Sequence, residues 1–138
     1  MQTDYFIANR HEADLIAREF DRRADFSTGN ADNSVLAGLT AAMGFAEIAQ
    51  QVAGEDYIVA MGSDEGPWVF DLPDELVGGL AELQNEDAAD LAARWAASEE
   101  LSYHGVDGAD MLPALNTLQS LAKKARDSQQ RLLLRMAM

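Results

Sequence analysis

The sequence has no cysteine and only two histidines among its 138 residues. Without cysteine, the chain cannot form disulfides, thiolate zinc sites, iron–sulfur clusters or a cysteine nucleophile. Histidine is too scarce for a histidine-rich metal site. In addition, the dipeptide His11-Glu12 is followed by Leu15 where the zinc-peptidase helix requires its second histidine. We therefore expect no metal ion and no cofactor.

Long apolar runs are also missing. The uninterrupted apolar stretches extend over only a few residues, whereas a membrane-spanning helix needs about 18 or more. The segment from Met1 to Tyr5 lacks the basic residues and the following apolar run of a signal peptide. We expect a cytoplasmic protein that does not enter a membrane.

Basic residues are absent from the middle of the chain. The sequence has 24 acidic and 10 basic residues, which gives a formal net charge of −14. Between Asp25 and Asp90 it has 14 acidic residues and no lysine or arginine, so the excess of negative charge lies there. Nucleic acids and anionic membranes bind basic surfaces, and this distribution therefore argues against both. The same distribution of charge is compatible with a basic protein partner.

Nucleotide-binding and nucleophile motifs are absent as well. The sequence has neither a Gly-Lys-Ser/Thr phosphate loop nor a Gly-x-Gly-x-x-Gly after a predicted strand. In Gly62–Gly66 the serine directly follows the first glycine, which differs from the Gly-x-Ser-x-Gly nucleophile elbow. The segment Asp107–Asp110 lacks the spaced ligands and final glutamate of a calcium loop. The sequence therefore has no motif that predicts a nucleotide site, a serine nucleophile or a calcium site.

The apolar residues present are sufficient for one globular domain spanning residues 1–138, since 48% of the chain is hydrophobic. Short β-branched and aromatic runs predict strands over residues 4–8, 57–61, 68–70 and 131–138. Apolar residues at helical spacing predict helices over about residues 10–20, 35–52, 73–83, 85–96 and 110–126, the second interrupted near Gly44.

The order of these elements indicates an α+β fold, because strands and helices do not alternate regularly. We predict a small, mainly antiparallel sheet of three or four strands, which includes both termini and a central hairpin. About five helices would pack on one face of that sheet. In the last strand, alternation places Arg131 and Arg135 on one face and the apolar residues Leu132, Leu134 and Met136 on the other. This pattern favours a sheet edge or a solvent-exposed face for the two arginines.

A weak catalytic candidate lies near Trp95. Glu99 follows Trp95 by four residues, so a continuous helix would place this carboxylate beside the apolar face, with Glu100 and His104 nearby in sequence. Burial there would favour the protonated carboxyl group and suit Glu99 to general acid or base chemistry. The simpler interpretation is a carboxylate at the rim of the core, held by a backbone amide or an arginine.

Two groups of acidic residues are candidates for partner binding. Asp64 and Glu65 lie in the predicted hairpin turn beside Trp68, and the second group consists of Glu82, Glu86, Asp87 and Asp90. Each group has a simpler explanation. Acidic residues are common turn formers and line solvated helix faces, and a tryptophan on a strand usually belongs to the core.

Three functions remain open. The first is a non-catalytic module that docks a basic protein; in size, charge and layout the chain resembles small acidic immunity proteins of bacterial toxin systems, without a shared motif. The second is a homo-oligomeric structural protein, joined through a terminal strand or an apolar helix face. The third is a small carboxylate-dependent enzyme that uses Glu99, Glu100 and His104. The lopsided charge favours the binding module.

Overall fold

In the computed structural model, residues 2–19, 21–28, 33–102 and 105–138 are described. Their strands are β1 (Gln2–Ala8), β2 (Phe26–Ser27), β3 (Ile58–Met61), β4 (Trp68–Asp71) and β5 (Arg131–Ala137). Their α-helices are α1 (Ala13–Arg18), α2 (Asn33–Ala42), α3 (Ala46–Ala53), α4 (Asp74–Ala81), α5 (Asn85–Ala96), α6 (Glu99–Ser102) and α7 (Gly108–Asp127). A single 3-10 turn, Arg10–Glu12, precedes α1.

The five strands form one antiparallel sheet in the order β2-β1-β5-β4-β3. This arrangement confirms the predicted α+β class, with strands near both ends of the sequence and a central β3–β4 hairpin. The additional strand, β2, has only two residues and lies where the sequence predicts no strand. It pairs with β1 through Asp4 opposite Ser27 and Tyr5 opposite Phe26.

Both faces of the sheet are covered, whereas the sequence predicted helices on one face only. The larger core joins one face to helices α2, α4, α5 and α7. A smaller core on the opposite face packs α1 against the sheet. It consists of Phe6, Ala8, Ala13, Ile16, Ala17, Ala60, Val69 and Leu133. The apolar side of α1 was visible in the sequence, but nothing local indicated which face of the sheet it would cover.

The last strand lies in the middle of the sheet, so its predicted placement at an edge is wrong. β5 pairs with β1 on one side and with β4 on the other. Arg135 is 5% exposed, because it points into the smaller core beneath α1. With both edges of β5 occupied, this terminal strand is not available to join two copies of the chain. An apolar helix face remains the other predicted route to a homo-oligomer.

Helix α5 carries the stripe that the sequence predicted. Ala88, Leu91, Ala92, Trp95 and Ala96 are all buried in the larger core. The Trp95 indole N–H donates to the backbone oxygen of Val35 at 2.9 Å, which fixes α5 against α2. The helix ends at Ala96, one turn before the position that the catalytic hypothesis required. No helix in the described ranges is both long and apolar enough to cross a lipid bilayer.

Two adjacent glycines in α4 are expected to respond differently to alanine. A Cβ at Gly78 would meet no atom within 4 Å, so Gly78→Ala should raise the free energy of unfolding by about 0.5–1 kcal/mol through better helix propensity. A Cβ at Gly79 would lie 2.8 Å from the Met43 Cε and 3.2 Å from the Phe45 ring. Gly79→Ala should therefore gain nothing or lose stability. Urea unfolding of both variants tests this, and equal gains would contradict the packing at Gly79.

Candidate functional site

The predicted partner-binding carboxylates all reach solvent, in two separate places. Glu82 ends α4, and Glu86, Asp87 and Asp90 lie on one exposed face of α5 at spacings of three and four residues. We call these four residues the α5 patch. Asp64 and Glu65 lie in the turn between β3 and β4, which we call the hairpin tip.

Two members of the α5 patch carry ion pairs and two do not. Asp90 pairs with Arg94 at 3.1 Å, and Glu82 pairs with Arg126 at 3.7 Å. Both carboxylate side chains are more than 70% exposed, so these pairs are screened and contribute little to stability. Glu86 and Asp87 form no ion pair within the described ranges. Their position in the first turn of α5 favours negative charge, which remains available to a partner.

The hairpin tip does not need its carboxylates to form the turn. The Ser63 hydroxyl donates to the Gly66 oxygen at 2.9 Å and accepts from the Glu65 amide at 3.2 Å. The Gly66 amide donates to the Ser63 oxygen at 3.0 Å. The backbone and Ser63 therefore hold the turn, while the side chains of Asp64 and Glu65 extend into solvent. This geometry weakens the interpretation of the two acids as mere turn formers.

A groove of about 420 Å³ lies between the hairpin and the end of α3. Ile58, Trp68 and Phe70 form apolar parts of its lining. We call it the hairpin groove. Its complete described lining is Asn33, Ala53, Gly54, Glu55, Ile58, Asp64, Trp68, Phe70 and Met136. Two carboxylates and no basic side chain belong to this lining.

Trp68 is the largest side chain of the hairpin groove and is only half-buried. Its ring packs against Gly66, where a Cβ would lie 2.9 Å from two ring atoms. Unlike the indole of Trp95, the indole N–H of Trp68 has no hydrogen-bond partner among the described residues. Trp68 also touches the edge of the larger core. The prediction of Trp68 as a core residue is thus correct for part of its surface.

Glu99, the main candidate of the catalytic hypothesis, does not lie against the core; it is one of the residues that line an open groove beside α2 and α3. Glu99 is exposed rather than directed toward the core, because α5 ends at Ala96 and Glu99 begins the separate turn α6. The placement predicted from its spacing to Trp95 is therefore wrong. The side chain of Glu100 and the whole of His104 lie outside the described residues.

An ion-pair network at one end of the sheet was not predicted from the sequence. Arg131 donates to Asp71 at 2.8 Å, to Asp74, and to the backbone oxygen of Leu72 at 3.0 Å. Arg10 approaches the second oxygen of Asp71 at 3.7 Å. Burial lowers the pKa of Arg131, but its bonds to Asp71 and Asp74 outweigh that effect and raise it. The charges compensate one another, which indicates a structural role in joining β4, β5 and α4.

A buried ion pair between β1 and β5 was not predicted from the sequence either. An Asp4 oxygen accepts from Arg135 at 2.9 Å, and both side chains are about 5% exposed. The other Asp4 oxygen accepts from Ser27 and from Gln2. Burial raises the pKa of Asp4, but hydrogen bonds from Ser27, Arg135 and Gln2 outweigh it and hold the pKa below its ordinary value.

Arg135 also closes the end of α1. Its guanidinium donates to the backbone oxygens of Ile16 and Glu19 at 3.1 and 3.0 Å, where cations are favourable at a helix C-terminus. The group lies 4.8 Å from the centre of the Phe6 ring. Its Nε atom is buried without a partner among the described residues. The alternation in this strand predicts a sheet edge or a solvent-exposed face for Arg135, and the structure buries it instead.

Within the described ranges, no group of three or more histidine, aspartate or glutamate side chains is placed to hold a metal ion. In comparisons with known proteins, no family model, no curated sequence and no solved structure matches the chain.

Proposed function

We propose that this protein is a non-catalytic binding module that docks a basic protein partner, in the manner of an immunity protein or an inhibitor. The observation that supports this most strongly is the set of exposed carboxylates without ion pairs: Glu86 and Asp87 on α5, and Asp64 and Glu65 at the hairpin tip. They belong to a stretch that contains no basic residue from Asp25 to Asp90.

A surface that carries charge of one sign mainly affects the rate of association and the choice of partner. Negative potential attracts a basic partner from a distance and orients it, which raises the association rate and disfavours acidic partners. Salt weakens this attraction. The exposed large apolar side chains of the described residues are Leu15, Met61 and Met138. Leu15 belongs to α1, Met61 to β3, and Met138 follows β5.

The proposal is tested first by capture. The immobilised chain should retain a basic protein from lysate of the source organism at low salt and release it at high salt, with the retained protein identified by mass spectrometry. Retention that does not change with salt, or retention of no basic protein, would contradict electrostatic docking.

The second test compares two variants that remove the same charge from different places. Glu86→Gln, Asp87→Asn and Asp90→Asn together remove three charges from the α5 patch. We expect association with the retained protein to slow by about tenfold at low salt. The measurement is the association rate by biolayer interferometry, after circular dichroism has verified that α5 remains folded.

The matched control carries Asp14→Asn, Glu19→Gln and Asp21→Asn. These residues are also exposed and lie in or beside α1, away from the acidic middle of the sequence. Its association rate should stay close to that of the wild type. Equal slowing of both variants would mean that net charge alone matters and that the α5 patch is not the docking surface.

A further inference from the structure

We infer that the hairpin groove receives one arginine or lysine side chain of the basic partner, with the cation lying against Trp68. This inference rests on the proposed function and names the chemistry of one contact within it. The residues that line the groove include Trp68 and the acidic residues Asp64 and Glu55.

The chemistry of the lining suits a cation with an apolar stem. Tryptophan has the aromatic ring that attracts cations most strongly, and carboxylates compensate the charge that the ring alone does not neutralise. Ile58 and Phe70 offer apolar contact to the methylene groups of the entering side chain. No lysine or arginine lies among the lining residues, so the entering cation meets no like charge there.

Trp68 is held ready for this contact. Its ring rests on Gly66, whose φ of +93° and lack of a Cβ allow this close approach. The strand pairs Trp68 with Met61 on one side and Met136 on the other, which fixes the base of the side chain. The indole N–H has no partner in the described part of the chain. A ring that is already positioned loses little conformational freedom on binding.

The alternative occupant of a half-open aromatic groove is a neutral apolar side chain. The two carboxylates argue against it, because an apolar occupant would cover Asp64 and Glu55 without compensating their charge. A cationic side chain satisfies both the ring and the carboxylates. Charge complementarity therefore selects the basic occupant.

The test uses the two tryptophan indole signals in a 15N-labelled sample of the whole chain, assigned with Trp68→Phe. The probe is N-acetyl-arginine amide, and its neutral control is N-acetyl-citrulline amide. We expect a saturable shift of the Trp68 signal with the arginine probe and none of the Trp95 signal, which is buried and bonded to Val35. No shift at Trp68, or the same shift with citrulline, would overturn the inference.

Two double variants test which carboxylates bind the arginine probe. Asp64→Asn combined with Glu55→Gln should weaken binding of the arginine probe about fivefold, as expected for the loss of two exposed charge contacts of about 0.5 kcal/mol each. The control, Glu86→Gln with Asp87→Asn, removes the same charge from the α5 patch. It should leave binding at Trp68 unchanged at physiological salt. Equal weakening by both variants would contradict a specific groove.

The captured basic protein distinguishes this inference from the proposed function. If that protein binds in a salt-sensitive manner while Trp68→Phe and Asp64→Asn both leave its affinity unchanged, the groove assignment is wrong and electrostatic docking stands. If no basic protein is captured at low salt, the proposed function fails, and the inference that rests on it fails with it. A loss of affinity in both groove variants supports the inference.

Discussion

An Asp4→Asn variant is expected to lose about 3 kcal/mol or more of its free energy of unfolding. The change leaves the Arg135 charge in an interior where both side chains of the pair are about 5% exposed. Removing one partner of a buried ion pair is strongly destabilising, because the remaining charge is neither hydrated nor compensated. Arg135 would retain the two carbonyl oxygens at the end of α1 and the Phe6 ring, with a neutral amide oxygen in place of the carboxylate. Urea unfolding followed by circular dichroism measures the loss.

The control for this prediction is Glu75→Gln. Glu75 is exposed and forms no ion pair in the described ranges, so its replacement should change the free energy of unfolding by less than about 0.5 kcal/mol. A comparably small change for Asp4→Asn would show that the pair contributes little and that Arg135 is held by the α1 carbonyls alone.

The same pair predicts a defined pH dependence. Because the pKa of Asp4 is lowered in the folded state, its contribution is fully present above the ordinary aspartate pKa of about 3.9. It is lost as the pH falls through the folded-state pKa. The stability difference between wild type and Asp4→Asn should therefore be constant near neutral pH and shrink below about pH 4. A difference that grows on acidification would contradict the sign of the shift.

A chain ending at Gln130 is expected not to fold. Such a truncation removes β5, which lies between β1 and β4 and pairs with both. It also removes Leu132, Leu133 and Leu134, each no more than 1% exposed, and these contribute to both cores. Removing a single large core side chain typically costs about 2–5 kcal/mol, and a domain has only about 5–15 kcal/mol in total.

The control for the truncation is a chain ending at Ala137. It removes only Met138, which is 86% exposed, and should unfold like the full chain. The measurement is the cooperativity of thermal unfolding, together with the near-ultraviolet signal of the buried Trp95. A cooperative transition in the chain ending at Gln130 would mean that the helices form a core without the sheet.

Local patterns predicted the elements well and their packing less well. The stripe on α5 specifies a helix with one buried face, and its members are buried as expected. The alternation in β5 likewise identified two faces. The alternation alone does not show that the second face of β5 is covered. This face is covered by α1, which is far from β5 in the sequence. The prediction of a sheet edge or a solvent-exposed face for Arg135 is therefore wrong, since its side chain is buried.

In the candidate site, too, local features could be predicted from the sequence and contacts between distant residues could not. Exposed carboxylates on α5 and at the hairpin tip follow from composition, because acidic side chains stay at the surface unless paired. The hairpin groove brings together Glu55, Trp68 and Met136, which only the folded sheet makes neighbours. The misplacement of Glu99 has a local cause, since the spacing rule from Trp95 assumed a helix that in fact ends at Ala96.

The central position of β5 makes the sheet depend on contacts between residues that are far apart in the sequence. Gln2 lies opposite Ala137 in the register of β1 and β5, so β1 has no central neighbour until residues 131–137 have left the ribosome. Pairings between distant residues form slowly, because a long loop must close before any contact compensates for it. During this interval the apolar helix faces of the nascent chain are uncovered. The negative charge of the middle segment, already synthesised by then, would keep incomplete chains from associating with one another.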